Sequence, residues 1–99
     1  MTTVPDRFER DYGCTEAEWL RWMPEAIAPQ RWRREGSAAL QVDFDDGTLD
    51  LQWVPLPPRV IALLRLPRLH VRFVFDGVAP NAREVFLRRF DLSLRRGGG

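Results

Sequence analysis

Three aspartates, Asp43, Asp45 and Asp50, flank an Asp-Gly pair inside a stretch that alternates apolar and polar residues, ALQVDFDDGTLDLQWV, residues 39–54. Carboxylates gathered on one face of a hairpin repel one another and need a cation, a proton or solvent between them. Calcium and magnesium prefer such oxygens. The spacing does not fit an EF-hand loop, whose glycine stands sixth, because Gly47 is fifth counting from Asp43. Turns favour aspartate in their own right, so no metal is assigned here. His70 has the pKa range for acid–base work, but no serine, cysteine or acid is placed by sequence to complete a catalytic pair. Arg68 and Arg72 on either side of it also oppose its protonation. Cys14 precedes a helix start, a setting that acidifies a thiol, although a lone cysteine more often serves packing. One cysteine and one histidine exclude an internal disulfide and the usual zinc cages. There is no glycine-rich phosphate loop or nucleotide fingerprint. No catalytic residue, cofactor or metal is therefore assigned, and the chain reads as non-enzymatic.

Charge offers a different chemistry. All fifteen cationic side chains are arginine, a residue suited to bidentate contact with carboxylate or phosphate. Residues 1–50 hold six arginines against eleven carboxylates, and residues 51–99 hold nine against three. Such asymmetry points to a charged partner or to cancellation inside the fold. Gln30-Arg31-Trp32-Arg33-Arg34 interleaves guanidinium groups with an indole, which suits nucleic acid or an anionic membrane surface. A linker whose Trp32 anchors to the core under an arginine fits the same residues. Trp19 and Trp22 are three apart on one helix, too close for both to bury against a small sheet, so one is a candidate partner contact.

The elements that position these residues follow from periodicity and punctuation. Residues 5–13 are expected to form a short helix, with Pro5 at its first position, Gly13 as terminator, and Phe8 and Tyr12 on one face. Thr15-Glu16-Ala17-Glu18 matches a capping box and opens a second helix with Trp19, Leu20, Met23 and Ile27 on one side. Pro24 should kink or restart that helix. Residues 28–37 read as a polar connection. The hairpin at 39–54 is expected to pair Phe44 with Leu49, Val42 with Leu51 and Leu40 with Trp53. Asp45–Thr48, Asp43–Asp50 and Gln41–Gln52 then fall on the polar face, where Arg68 or Arg72 can lie across the acids. Residues 55–67 stay open between a short buried helix after Pro58 and an extended edge segment, the prolines excluding a central strand at 55–58. Residues 68–75 form a strand with Leu69, Val71, Phe73 and Phe75 on one face. A helix from Pro80 to about Phe90 follows, and residues 91–96 either continue it or, as preferred, form a last extended segment.

These elements define one small α+β domain over residues 1–96: an antiparallel sheet of three to four strands with N-terminal and C-terminal helices on one face, and a flexible glycine tail at 97–99. The N-terminus has no apolar signal region, and no run is long enough to span a bilayer. The reading is a cytoplasmic, arginine-rich module that binds another protein, with contacts expected at Trp22, Trp32, Arg83, Arg88, Arg89, Arg95 and Arg96. Partner identity and oligomeric state stay open.

Two alternatives remain. The arginine-rich C-terminal half suits a nucleic-acid-binding module, and the order helix, three extended segments, helix is similar to that of double-stranded-RNA-binding domains. The ending LRRGGG resembles the tails of ubiquitin-like and sulfur-carrier proteins. That resemblance implies a β-grasp order across residues 39–96 and a carboxylate at Gly99 that is adenylated.

Overall fold

The structure is a computed structural model and describes residues 3–97. The element order is β1 (Arg7–Tyr12), α1 (Glu16–Ile27), β2 (Trp32–Arg34), β3 (Ala39–Asp43), β4 (Thr48–Ile61), β5 (Leu64–Asp76) and α2 (Pro80–Gly97). All strand pairs are antiparallel, in one sheet of order β1-β5-β4-β3-β2. The α+β class is as expected, but the sheet has five strands, not three or four.

The first extra strand is β1, where a helix was expected. Phe8 and Tyr12 are four apart, a spacing that satisfies a helix period and a strand period alike. Arg10 lies between them on the same inward face, and the outward Arg7, Glu9 and Asp11 alternate with them. The strand finds its partner in β5, with Phe8 opposite Phe73 and Asp11 opposite His70. Phe8 stacks on Phe73 at 4.5 Å between ring centroids. Arg10 reaches across to Asp91 of α2 at 2.7 Å, tying this edge to the helix layer. The second extra strand, β2, lies in the segment expected as a linker and pairs Trp32 with Val42.

The hairpin at β3–β4 keeps its expected faces but not its expected register. Val42 pairs with Leu49, Leu40 with Leu51 and Asp43 with Thr48, so the loop is the four residues Phe44 to Gly47. A slip of two residues preserves every in-or-out assignment, which is why alternation alone does not detect it. Gly47 explains the longer loop. A Cβ there would lie 2.0 Å from the Asp76 carbonyl oxygen, so the turn presses backbone on backbone against the β5–α2 connection. Asp46 completes the junction, its Oδ2 accepting the Ala79 N–H at 3.0 Å.

Helix α1 starts on the expected capping box. The Thr15 hydroxyl accepts the Glu18 N–H at 3.1 Å, and the Thr15 N–H donates to Glu18 Oε1 at 2.9 Å. The helix continues through Pro24 to Ile27. The other helix, α2, runs to Gly97, beyond the expected end near Phe90. Helical spacing buries Phe90 and Leu94 while leaving Leu92 exposed; a strand would have put all three on one face.

One face of the sheet carries the core. Leu40, Val42, Leu49, Leu51, Trp53, Leu69, Val71, Phe73 and Phe75 meet Trp19, Met23 and Ile27 of α1 and Phe86, Phe90 and Leu94 of α2. Trp19 is fully buried, with the rings of Tyr12, Trp53 and Phe90 centred within 6 Å. Its indole N–H has no hydrogen-bond partner among the described residues. Trp53, by contrast, donates its N–H to Glu16 at 2.8 Å. Trp22 is only half buried at the margin of this core.

Candidate functional site

Strands β4 and β5 are 14 and 13 residues long, more than twice the length of their neighbours. Their lateral partners stop early: β1 reaches Leu69 of β5, and β3 reaches Gln52 of β4. Residues 55–68 thus form a two-stranded ribbon, an arm roughly 20 Å long at the usual rise per residue. The radius of gyration, 14.0 Å, exceeds the roughly 13 Å of a compact chain of this length, as such a projection requires. The ambiguous run after Pro58 is therefore an extended segment, and the buried-helix alternative is set aside.

Composition explains why this part is a ribbon and not a wider sheet. Pro55, Pro57, Pro58 and Pro67 remove backbone donors from its shaft, which blunts its edges against further strand pairing. A bulge between Leu56 and Arg59 absorbs the Pro57-Pro58 pair. Past the bulge the ladder resumes, Arg59 opposite Leu66, Val60 opposite Arg65 and Ile61 opposite Leu64. The turn is the two residues Ala62-Leu63, and Ala62 takes φ 53°, a left-handed conformation that tight hairpin turns usually assign to glycine or asparagine.

The arm's side chains are aliphatic and cationic. Leu63 is 99% exposed, Val60 and Leu64 62%, Ile61 51% and Leu66 42%. Pairs opposite one another share a side of the ribbon, so Leu56, Ile61, Leu64 and Leu66 lie on one side with Arg59 and Arg68, and Val60 lies on the other with Arg65. No acidic residue occurs between Asp50 and Asp76. Arg59 and Arg65 form no ion pair among the described residues. The arm is thus an apolar tip with cations set just behind it.

At the base of the arm, His70 is clamped between two carboxylates of β1. Its Nδ1 lies 2.5 Å from Asp11 and its Nε2 2.6 Å from Glu9. Ionised carboxylates only accept hydrogen bonds, so a doubly protonated ring satisfies both contacts. Glu9 and Asp11 accordingly raise the His70 pKa, while His70 and Arg68 lower that of Asp11. The expectation that flanking arginines suppress protonation is overturned, because β1 supplies the acids from far away in sequence. Cys14 is likewise not acidified: burial, followed by the nearby Glu18, pushes its thiol up to about 11.

The aspartates of the hairpin do not gather. Asp50 faces Gln41 and accepts its amide N–H at 3.0 Å, and Asp43 faces Thr48 with Arg33 at 3.8 Å. The cation beside Asp43 comes from β2, not from Arg68, which pairs with Asp11 at 3.2 Å. Among the described residues no group of three or more His, Cys, Asp or Glu side chains is disposed to hold a metal. A cleft of about 360 Å³ opens between the α1 C-terminus, the β3–β4 loop and α2, lined by Ile27, Phe44, Asp45, Val85, Phe86 and Arg89.

The expected partner contacts lie on three elements, Trp22 on α1, Trp32 on β2 and the arginines on α2. No hydrogen bond or ion pair joins any of them to another among the described residues. Arg83 is engaged internally, its Nε donating to the Val4 carbonyl at 3.0 Å and its terminal nitrogen to the Val78 carbonyl at 2.7 Å. Arg88 pairs with Glu84, Arg89 borders the cleft and Arg95 is exposed. Trp32 is 37% exposed; the indole lying under an arginine is Trp53, below Arg34 at 5.7 Å. The Arg96 side chain and Gly98–Gly99 lie outside the described residues. The β-grasp order is not followed, because 59–66 belongs to a hairpin and 91–97 to a helix. No helix among the described residues is long and apolar enough to cross a membrane. No protein-family model, curated protein or solved structure matches the chain.

The arm is a candidate site that no motif marks. Its signal was present: an unbroken aliphatic run, bracketed by prolines that favour extended backbone, in a 25-residue stretch free of acids.

Proposed function

We propose that this protein is a non-enzymatic binding module and that the β4–β5 arm is its docking element. The observation that carries the reading is Leu63, 99% exposed at the head of a continuous aliphatic run. Single exposed apolar residues are ordinary on a protein surface, whereas a contiguous patch marks an interaction site. A two-stranded ribbon is marginal in water by itself. Covering it is favourable, since each aliphatic side chain gains about 1.5–3 kcal/mol on full burial. Trp22, Trp32 and the arginines of α2 are secondary on this reading, because they form no comparable continuous surface.

The test is site-specific photo-cross-linking in cells, with the photoreactive residue at position 63 and, as control, at Leu92, an exposed aliphatic on α2. Strong adducts from position 63 and few from position 92 are expected. Equal yields at the two positions would overturn the reading.

A further inference from the structure

We propose that the surface the arm docks on is an anionic lipid headgroup layer, with the tip inserted to the level of the acyl boundary; this rests on the reading of the arm as a docking element. The first argument is the separation of apolar from cationic groups along the ribbon. The Ile61–Leu64 pair and the Leu63 turn lie ahead of the Arg59–Leu66 pair by two residues, about 7 Å. Interfacial segments bury their apolar part about 5–10 Å deep, so a tip of this length places Arg59 among the headgroups, while Arg65, opposite Val60 and one residue nearer the tip, reaches them through its long stem. Arginine stems can lie along apolar surface while the guanidinium stays at the phosphates.

The second argument is charge complementarity. Arg59 and Arg65 have no ion pair among the described residues, and the whole span from Leu51 to Phe75 is free of acids. Further down the shaft, Arg68 is already neutralised by Asp11. Within the arm, the positive charge without an ion pair is therefore confined to the end that leads. The third argument discriminates between occupants. A peptide strand or a second copy of the arm would add along a free edge, and Pro55, Pro57, Pro58 and Pro67 strip donors from the edges of the shaft, leaving only the short stretch 59–66 for such pairing. Nucleic acid draws most of its affinity from phosphate contacts, and two arginines beside five bare aliphatics are poorly proportioned for it. A lipid surface requires no edge pairing and no shaped cavity. It takes aliphatic side chains below and guanidinium groups at the phosphate level, the two things the arm supplies.

Co-sedimentation with vesicles of phosphatidylcholine alone and of phosphatidylcholine mixed with phosphatidylserine tests the proposal. Binding to the mixed vesicles is expected to be tighter by roughly tenfold or more, as two arginines near an anionic surface supply. Arg59→Gln with Arg65→Gln should remove most of that preference. Leu63→Ser with Leu64→Ser should weaken binding to the mixed vesicles by roughly tenfold or more. All four positions are exposed, and far-UV circular dichroism verifies that each double variant is folded. Absence of binding to the mixed vesicles, or binding indifferent to both double variants, overturns the lipid proposal. Duplex DNA or RNA bound at low salt, displacing vesicles and needing the arginines but not the leucines, overturns it as well. In either case the photo-cross-link at position 63 separates the two readings: a protein adduct keeps the docking arm and discards the lipid, and no adduct discards both.

Discussion

Leu49, Leu51 and Trp53 in the first half of β4 are almost wholly buried, while Val60 and Ile61 at its far end are more than half exposed. Both halves are aliphatic or aromatic, both belong to the same antiparallel ladder, and β5 runs beside them throughout. They differ in what covers them. Around Leu51 the sheet is five strands wide at most and roofed by two helices, so every inward side chain meets Trp19, Phe73 or Phe90 and their neighbours. Around Ile61 there is neither a third strand nor a helix. Hydrophobicity specifies that a residue gains from burial; it does not say whether the molecule or something outside it supplies the cover. The body is thus stabilised by its own packing, and the arm's apolar groups contribute little to it.

The widest separation between the two regions should come from Gly47→Ala. The new Cβ would meet the Asp76 carbonyl oxygen, the Gly77 carbon and the Val78 nitrogen, all within 3 Å and all backbone. No side chain can swing away, so the hairpin loop and the β5–α2 connection must part. A loss of about 4 kcal/mol or more is expected, enough to unfold a marginally stable domain. Urea unfolding or thermal melting measures it, and a loss under about 1 kcal/mol would mean that the two loops do not meet as described. Phe73→Ala should follow, at about 3–5 kcal/mol, because the ring is fully buried against Phe8 and Phe90. Ile61→Ala, a comparable truncation on the arm, should stay within about 0.5 kcal/mol. Similar losses at the two positions would erase the distinction between body and arm. Thr15→Ala should cost about 1 kcal/mol by opening the capping box on α1.

How much of this was readable in the sequence depends on the range of the interaction. The capping box was, because Thr15 and Glu18 are three apart and the chemistry is local. So were the faces of β3, β4 and β5, since alternation fixes parity. The register of β3–β4 was not: a shift of two leaves parity unchanged, and Gly47's contact with Asp76 across 29 positions decides it. The identity of β1 was not readable either, because Phe8 and Tyr12 suit both periods and only pairing with β5 separates them. The environment of His70 failed for the same reason, its acids lying some sixty residues away. The early charge asymmetry does resolve partly inside the fold. Asp11 meets Arg68 and His70, and Asp91 meets Arg10, so each half neutralises some of the other. Arg59 and Arg65 of the arm are among the arginines that stay without an ion pair among the described residues, in a stretch that periodicity leaves as an ambiguous apolar run.

A smaller, pH-dependent effect marks the boundary between the regions, where β1 ends and the arm begins. His70 has its pKa raised by Glu9 and Asp11, so its contribution to stability is fully present below its unfolded value, about 6.5, and is lost as pH rises through the folded value. Asp11 has its pKa lowered by His70 and Arg68, so its contribution is present above the unfolded carboxylate value, about 4, and is lost as pH falls through the folded one. The clamp should therefore act most strongly between about pH 4 and 6.5. Comparing wild type with His70→Gln across pH, the variant should be less stable inside that window and converge with wild type at alkaline pH. A constant difference at all pH values would show that the ring acts by packing alone.

The smallest expected effect is the most discriminating for the arm. Leu63→Ser with Leu64→Ser replaces two leucines, one of them wholly exposed, and neither joins the buried core. In the isolated protein, stability should change by no more than about 0.5 kcal/mol, since nothing packed is lost. Backbone amides at 59–66 should exchange with solvent far faster than those of Leu69 to Phe75, because a two-stranded ribbon without cover opens locally at little cost. The same double change should nevertheless weaken vesicle binding. A substitution silent in the free chain and strong in the bound one places the arm's apolar energy outside the fold. If the leucines instead proved important to the stability of the isolated chain, the tip would be packed against something in the monomer or in a self-associated form. The line drawn between β4's covered and bare halves would then have to move.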